Sequence, residues 1–348
     1  MPSTLGIVSS GYYNRPMWIA VSGAVTDYLM AYPFDTYTGF GSKIAAPSSS
    51  PPTTTQSHVS WSPDNTIVLT GQLNTSPYVN AWAWSSGSWG SKYSNPASIT
   101  ADSHKNTVFN PQGTDVISSV GSSSATTADA WAWSSGWGTK YASPIISNGQ
   151  NDGTFVLNGT AVIYGIINAT TGVVAYPFTS GTGFGTKYSD PATLPTTQGQ
   201  SIAWDENTQT VITSQGNTSP YVNAYPFSSS GWGTRFTITS AFTTNVVEIA
   251  FDKRGESAFF FQSTPTRRAW SASGFGSNLT APAGGLTTSA STMSNSVSVD
   301  NSTFVQVSGG ASPYIKAWPI RSSTTMGTAF TAPADISLSS PRWVKFSN

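Results

Sequence analysis

The chain has 348 residues, no cysteine, and 15 basic against 15 acidic residues. Charged residues are 9% of the total, against about a quarter in an ordinary soluble domain, which leaves no electrostatic footprint for nucleic acid or an anionic membrane surface. Without thiols there is neither a disulfide framework nor a thiolate metal site. No segment approaches the roughly 18 apolar residues of a membrane span, and residues 1–6 do not read as a secretory signal.

The predicted elements are short strands throughout. Residues 58–61 alternate polar and apolar, the period of a half-buried strand, and Ser62-Pro63-Asp64-Asn65 is turn chemistry. A β-branched strand follows over 66–70, then a turn over 71–77 and a third strand over 78–84. Residues 85–88 form a hairpin loop, 89–94 a fourth strand, and Asn95-Pro96 ends it. Later units repeat the first two strands at 200–204 with 210–213, at 246–251 with 257–261, and at 296–299 with 304–307. No stretch carries a helical period over ten residues.

The third strand marks the repeat. Ala followed by a large aromatic stands at Ala31-Tyr32, Ala81-Trp82, Ala130-Trp131, Ala175-Tyr176, Ala224-Tyr225, Ala269-Trp270 and Ala317-Trp318. The ring-to-ring steps are 50, 49, 45, 49, 45 and 48 residues. Seven units of roughly 48 residues, each of four short antiparallel strands, describe a seven-bladed β-propeller. The expectation is an all-β chain forming one domain over residues 1–348. Neighbouring residues of a strand face opposite sides of the sheet, so the ring would fill one interblade space while Ala leaves room on the other.

A second signature, aromatic-Gly-Ser/Thr-basic-aromatic, falls on the fourth strand. Examples are Trp89-Gly90-Ser91-Lys92-Tyr93 and Trp232-Gly233-Thr234-Arg235-Phe236. The recurring basic residue reads as protection of an outer edge strand. The leading rings, Phe40, Trp89, Trp137, Phe184, Trp232 and Phe275, each follow a Ser/Gly-rich loop. Such rings can stack on sugars or anchor a protein partner, and they are the candidate contact residues. Packing within the blade is the alternative, and it predicts the same recurrence.

The chain ends bear on closure. Residues 342–348 resemble a first strand, so a clasp between the N- and C-termini is expected to complete the first unit. Residues 11–14 are a rival for the same slot.

Reactive groups are few. His58 and His104 lack metal-ligand spacing, and each is expected to be a satisfied core or surface residue. Asp205, Glu206 and Asp252 occupy the turn slot of Asp64. A glycosidase-like propeller would need two or three acids converging on the axis, and spacing singles none out. No catalytic residue, metal site or cofactor is predicted, and a non-enzymatic role is expected.

The blocks Ser219 to Phe227, Gly183 to Tyr188 and Pro191-Ala192-Thr193 resemble the propeller repeats of phage virion proteins, over roughly residues 28–334. The likeness to WD-type propellers is in outline only: Trp-Asp occurs once, at Trp204-Asp205. The resemblance implies a virion-located structural or adsorption protein. Its implied partners are capsid or tail proteins or a host-surface glycan, with no nucleic acid and no membrane insertion. A carbohydrate-binding propeller using the aromatic-Gly loops is the alternative, and a hydrolase the third option.

Overall fold

The computed structural model describes residues 17–24, 28–48, 52–121, 126–146, 148–167, 171–216, 218–238, 242–262, 265–284, 293–309, 312–334 and 341–347. Seven antiparallel sheets are arranged as a β-propeller, with no helix among the described residues. In blade 2 the strands run outward from the axis as Gln56–Trp61, Ile67–Gln72, Val79–Ser85 and Ser88–Lys92. The other innermost strands are His104–Phe109, Gln150–Val156, Gly199–Asp205, Glu248–Phe251 and Met293–Val297 for blades 3 to 7. Blade 7 has three full strands. Its outer position shrinks to an Ile320–Met326 bridge, still tied to the third strand by Gly327 N–H to Pro319 O at 2.8 Å and Phe330 N–H to Ala317 O at 2.9 Å.

Blade 1 joins the two ends of the chain. Its innermost strand is Pro341–Phe346, followed outward by Met17–Gly23, Leu29–Asp35 and Gly39–Phe40. The register sets Phe346 opposite Ile19 and Val344 opposite Val21. Ser347 N–H reaches Trp18 O at 2.8 Å, and Trp18 N–H returns to Ser347 Oγ at 3.0 Å. The expected clasp is therefore the closure of the ring, and the C-terminal strand supplies the innermost position. The rival segment 11–14 lies outside the described residues.

Large-against-small packing joins the blades. Trp82 and Trp84 of blade 2 pack with Ala20 and Ala31 of blade 1. Trp131 and Trp133 of blade 3 pack with Ala81 of blade 2. Tyr176 of blade 4 meets Ala128 and Ala130 of blade 3, and Tyr32 of blade 1 meets Ala317 of blade 7. Trp82, Trp131, Tyr32, Tyr225 and Trp318 are fully buried. Deleting one such ring would leave a cavity that a twisted sheet cannot collapse to fill.

Blade 6 departs from the repeat. Trp270 pairs with Phe275 as Trp84 pairs with Trp89, so Ala269-Trp270 lies two residues out of register with the other pairs. Arg267 takes the Ala slot, opposite Phe259, and Arg268 takes the ring slot, opposite Ala258. Both are buried. The Arg267 guanidinium lies 5.0 Å from the Phe259 ring centroid and donates to Ser257 Oγ at 3.0 Å. Arg268 lies 4.2 Å from Phe242. A guanidinium fills a ring's place here because its flat face stacks on aromatics.

The clasp yields a stability prediction. Phe346 is buried, with its ring 5.5 Å from that of Phe34, so Phe346→Ala should cost about 3–5 kcal/mol in urea unfolding. An unchanged midpoint would contradict closure by this strand.

Candidate functional site

The innermost strands line the axis. Each approaches its end with a ring or Val whose cross-strand partner is the same in kind: Trp61 with Val68, Phe109 with Val116, Phe155 with Val162, Trp204 with Val211, Phe251 with Ala258, Val297 with Phe304 and Phe346 with Ile19. Stepping back three residues from each gives one level: His58, Asn106, Asp152, Ser201, Glu248, Ser294 and Trp343. Stepping back one gives a second level: Ser60, Val108, Thr154, Ala203, Ala250, Ser296 and Lys345. Most of the second level is small or neutral. Lys345 is its one charge.

A pocket enclosing about 420 Å³ lies on the axis and is lined by His58, Asn106, Asp152, Glu248, Ser296, Trp343 and Lys345 among others. Its wall continues onto the hairpins after the inner strands, through Glu206, Asn207, Lys253 and Val299.

Asp152 is buried and accepts from Ile202 N–H of the next blade at 2.8 Å, from Gly153 N–H at 2.8 Å, and from the Asn106 amide. Burial raises its carboxyl above the usual range, opposed by these donors and by the charge of Lys345. Glu248 is raised well above the usual range, first by burial and then by the charge of Asp152; Lys345 and the Ser201 hydroxyl pull it the other way. Burial and then Lys345 push the His58 imidazole well below its ordinary value, while Thr107 N–H to Nδ1 at 3.4 Å opposes them. The His58 ring stands edge-on to Trp343 with centroids 4.7 Å apart. The site thus combines a carboxyl whose protonated form burial favours, a second carboxyl held by N–H donors, an imidazole whose neutral form burial favours, and the Lys345 side chain. Such a divided set suits acid–base chemistry.

The six rings singled out from sequence lie elsewhere. Phe40, Trp89, Trp137, Phe184 and Trp232 are half-buried and Phe275 is buried. Each stands edge-on to a third-strand ring of its own blade. The centroid distances are 5.2 Å for Phe40–Phe34, 4.7 Å for Trp89–Trp84 and 5.0 Å for Trp137–Trp133. They are 5.3 Å for Phe184–Phe178, 4.9 Å for Trp232–Phe227 and 5.0 Å for Phe275–Trp270. The rings are spread one per blade around the rim and do not converge. The glycine that follows has a packing reason: a Cβ on Gly90 would stand 2.9 Å from Ala83 Cβ, and one on Gly41 2.6 Å from Pro33 Cγ.

The remaining polar residues are structural. Asp205 caps its turn through Asn207 and Thr208 N–H, both at 3.2 Å. Asp252 does the same through Arg254 N–H at 3.2 Å and Glu256 N–H at 2.9 Å. His104 is locked in the core by Ser118 Oγ at 2.7 Å and Thr100 O at 3.1 Å. Among the described residues no group of three or more potential ligands could hold a metal ion.

Asp152, Glu248 and Lys345 were not singled out from sequence. The usable signal was their position: counted back from the strand-ending ring, Asp152 and Glu248 share one level with His58.

No protein-family model matches the chain, and no curated protein matches it. Among solved structures it is similar to a candidate 6-phosphogluconolactonase from Bacteroides fragilis, at 10% identity and a TM-score of 0.71, covering 100% of both chains. A second candidate 6-phosphogluconolactonase, from Bacteroides uniformis, aligns at 12% identity and a TM-score of 0.73, over 95% of this chain and 99% of that one. A protein from Lactobacillus plantarum aligns at 10% identity and a TM-score of 0.75, over 96% and 100%. Identities this low show the propeller fold alone. The expectation of a phage virion protein is corrected by these neighbours: two carry an enzyme's name, and nothing points to a virion component or to WD repeats. The physical reason is that the repeated motifs are interblade and rim packing, which any propeller of this build needs.

A pH dependence follows from Glu248. Its folded carboxyl holds a proton above the ordinary value of 4.5, so the folded state binds more protons than the unfolded one there. Stability is therefore greatest below that value and falls as pH rises toward the folded pKa. Glu248→Gln lacks this loss. Its melting temperature relative to the parent should climb as pH rises above the ordinary carboxyl value of 4.5; a constant difference would contradict a raised Glu248.

Proposed function

We propose that the chain is a hydrolase that opens small cyclic esters in the axial pocket. The observation that carries this reading is the convergence of Asp152, Glu248 and Lys345, from three different blades, on one pocket of about 420 Å³. In a chain with 9% charged residues, burying such groups is costly, and perturbed titratable groups in a cleft mark functional sites. The other inner-strand positions at the level of Lys345 do without charge. The names of the two Bacteroides neighbours suggest sugar lactones as the ester class.

The roles follow from the environments. Water adds to the lactone carbonyl carbon as Asp152 takes its proton. Lys345 stabilises the carbonyl-derived oxyanion. The ring C–O bond breaks as Glu248 gives its proton to the leaving oxygen. Proton exchange with solvent returns both carboxyls to their starting states. The balance is one lactone and one water to one hydroxy acid.

General acid–base groups contribute about 10²–10⁴-fold each. In a pH-stat assay with five- and six-membered sugar lactones, the parent should exceed the spontaneous rate. Glu248→Gln and Asp152→Asn should each lower kcat by about 10²–10⁴-fold. A parent rate equal to the spontaneous one, or full activity in both variants, would sink this reading.

A further inference from the structure

The innermost strands hold a third level that the axial pocket does not use. In blades 1 to 5 the pairing of the innermost strand with the second strand carries a β-bulge. Four residues back from the strand-ending ring, the bulge holds Arg342, Ser57, Lys105, Asn151 and Gln200 in blade order, and all five are polar. Blades 6 and 7 pair without a bulge, and the same count gives Val247 and Met293. A bulge re-aims a side chain out of the sheet's alternation. None of these residues lines the axial pocket. They stand toward the start of the inner strands, away from the hairpins that continue its wall.

The bulge residues of blades 2, 3 and 4 bond to the next blade. Ser57 Oγ donates to His104 O, Lys105 Nζ to Asn151 Oδ1 at 2.7 Å, and Asn151 Nδ2 to Gly199 O at 2.8 Å. This chain of bonds ends at blade 5, where Gln200 Oε1 is enclosed without a partner. It does not begin at blade 1. Arg342 Nε is enclosed without a partner, and the guanidinium makes no hydrogen bond or ion pair among the described residues. Burial lowers the Arg342 pKa, and no carboxylate opposes it. Other cations differ: Lys105 is also favoured by the charge of Asp102, Arg267 lies 3.9 Å from Asp252, and Arg235 donates to Asn223 at 2.9 Å.

A half-buried guanidinium with an enclosed, unpaired N–H is costly. A planar carboxylate removes that cost by accepting two parallel N–H bonds from the guanidinium fork. A dianion fits less well. Arg342 is the one free cation of the level, because Lys105 is committed to Asn151 and Asp102. Between Gln200 and Arg342 the ring of blades carries Val247, half-buried, and Met293, so the level offers apolar residues there and no second charge. We infer that the bulge level is a second ligand site, separate from the axial pocket, at which Arg342 binds a monocarboxylate with a short apolar body. The inference goes beyond the hydrolytic reading and does not rest on it.

The test is calorimetric titration of the full chain with butanoate, and separately with inorganic phosphate, at equal low ionic strength. Saturable binding of butanoate is expected, tighter than that of phosphate. Arg342→Gln should weaken it about tenfold or more, the loss that goes with one hydrogen bond to a charged group. Arg342→Lys keeps the charge without the fork. It should weaken binding too, and it reports even where Arg342→Gln fails to fold. Glu248→Gln, in the axial pocket, should bind butanoate like the parent. The site would be overturned by a parent that does not bind butanoate, by tighter binding of phosphate, or by parental affinity in either folded Arg342 variant. Loss of binding in Glu248→Gln would place the anion in the axial pocket and overturn the site as well. Lactone turnover is measured apart from this titration, so either reading can fail while the other stands.

Discussion

The ring depends on one packing constraint. Seven twisted sheets can meet around an axis only if each wedge between them is filled from one side and left open on the other. The Ala slot and the ring slot on the third strand meet that constraint. Trp82 against Ala31 and Trp131 against Ala81 are two instances. Because adjacent strand residues face opposite sheets, one dipeptide serves both of a blade's neighbours. Blade 6 departs from that rule: Arg267 and Arg268 occupy both slots, neither is left small, and their guanidinium groups stack on Phe259 and Phe242.

Closure and site are physically one problem. The strand that completes blade 1 also brings Trp343 and Lys345 to the axis. Trp61 Nε1 of blade 2 donates to Lys345 O at 3.2 Å, which fixes the backbone that carries the ammonium. Asp152 couples the site to the ring in a second way, since its carboxylate takes Ile202 N–H of blade 5. Ser201 repeats that bridge to Ile249 N–H of blade 6 at 3.2 Å. The same level of the inner strands therefore ties blades together and faces the pocket.

The propeller was legible in the sequence because its packing residues recur. Turn chemistry at Pro63-Asp64, β-branched second strands and the Ala-aromatic pairs all repeat with one period, and the C-terminal segment matched a first strand. The sixth unit misled because Ala269-Trp270 keeps the dipeptide while the register slips by two. The site was not legible for the opposite reason. Asp152 and Glu248 share a level with His58, Asn106, Ser201, Ser294 and Trp343, and Lys345 shares one with Ser, Val, Thr and Ala, so no one residue type marks these positions and periodicity hides them. The aromatic-Gly rings drew attention because they recur, and recurrence marks packing.

On the proposed function, ligand chemistry belongs to the axis and the rim rings serve packing. Crystals soaked with a sugar lactam, a hydrolysis-resistant analogue of the proposed lactone, test that placement most directly. Ligand density is expected in the axial pocket between Asp152, Glu248 and Lys345. Density against Trp89 or Trp232 at the rim, with the axial pocket free of ligand, would contradict it.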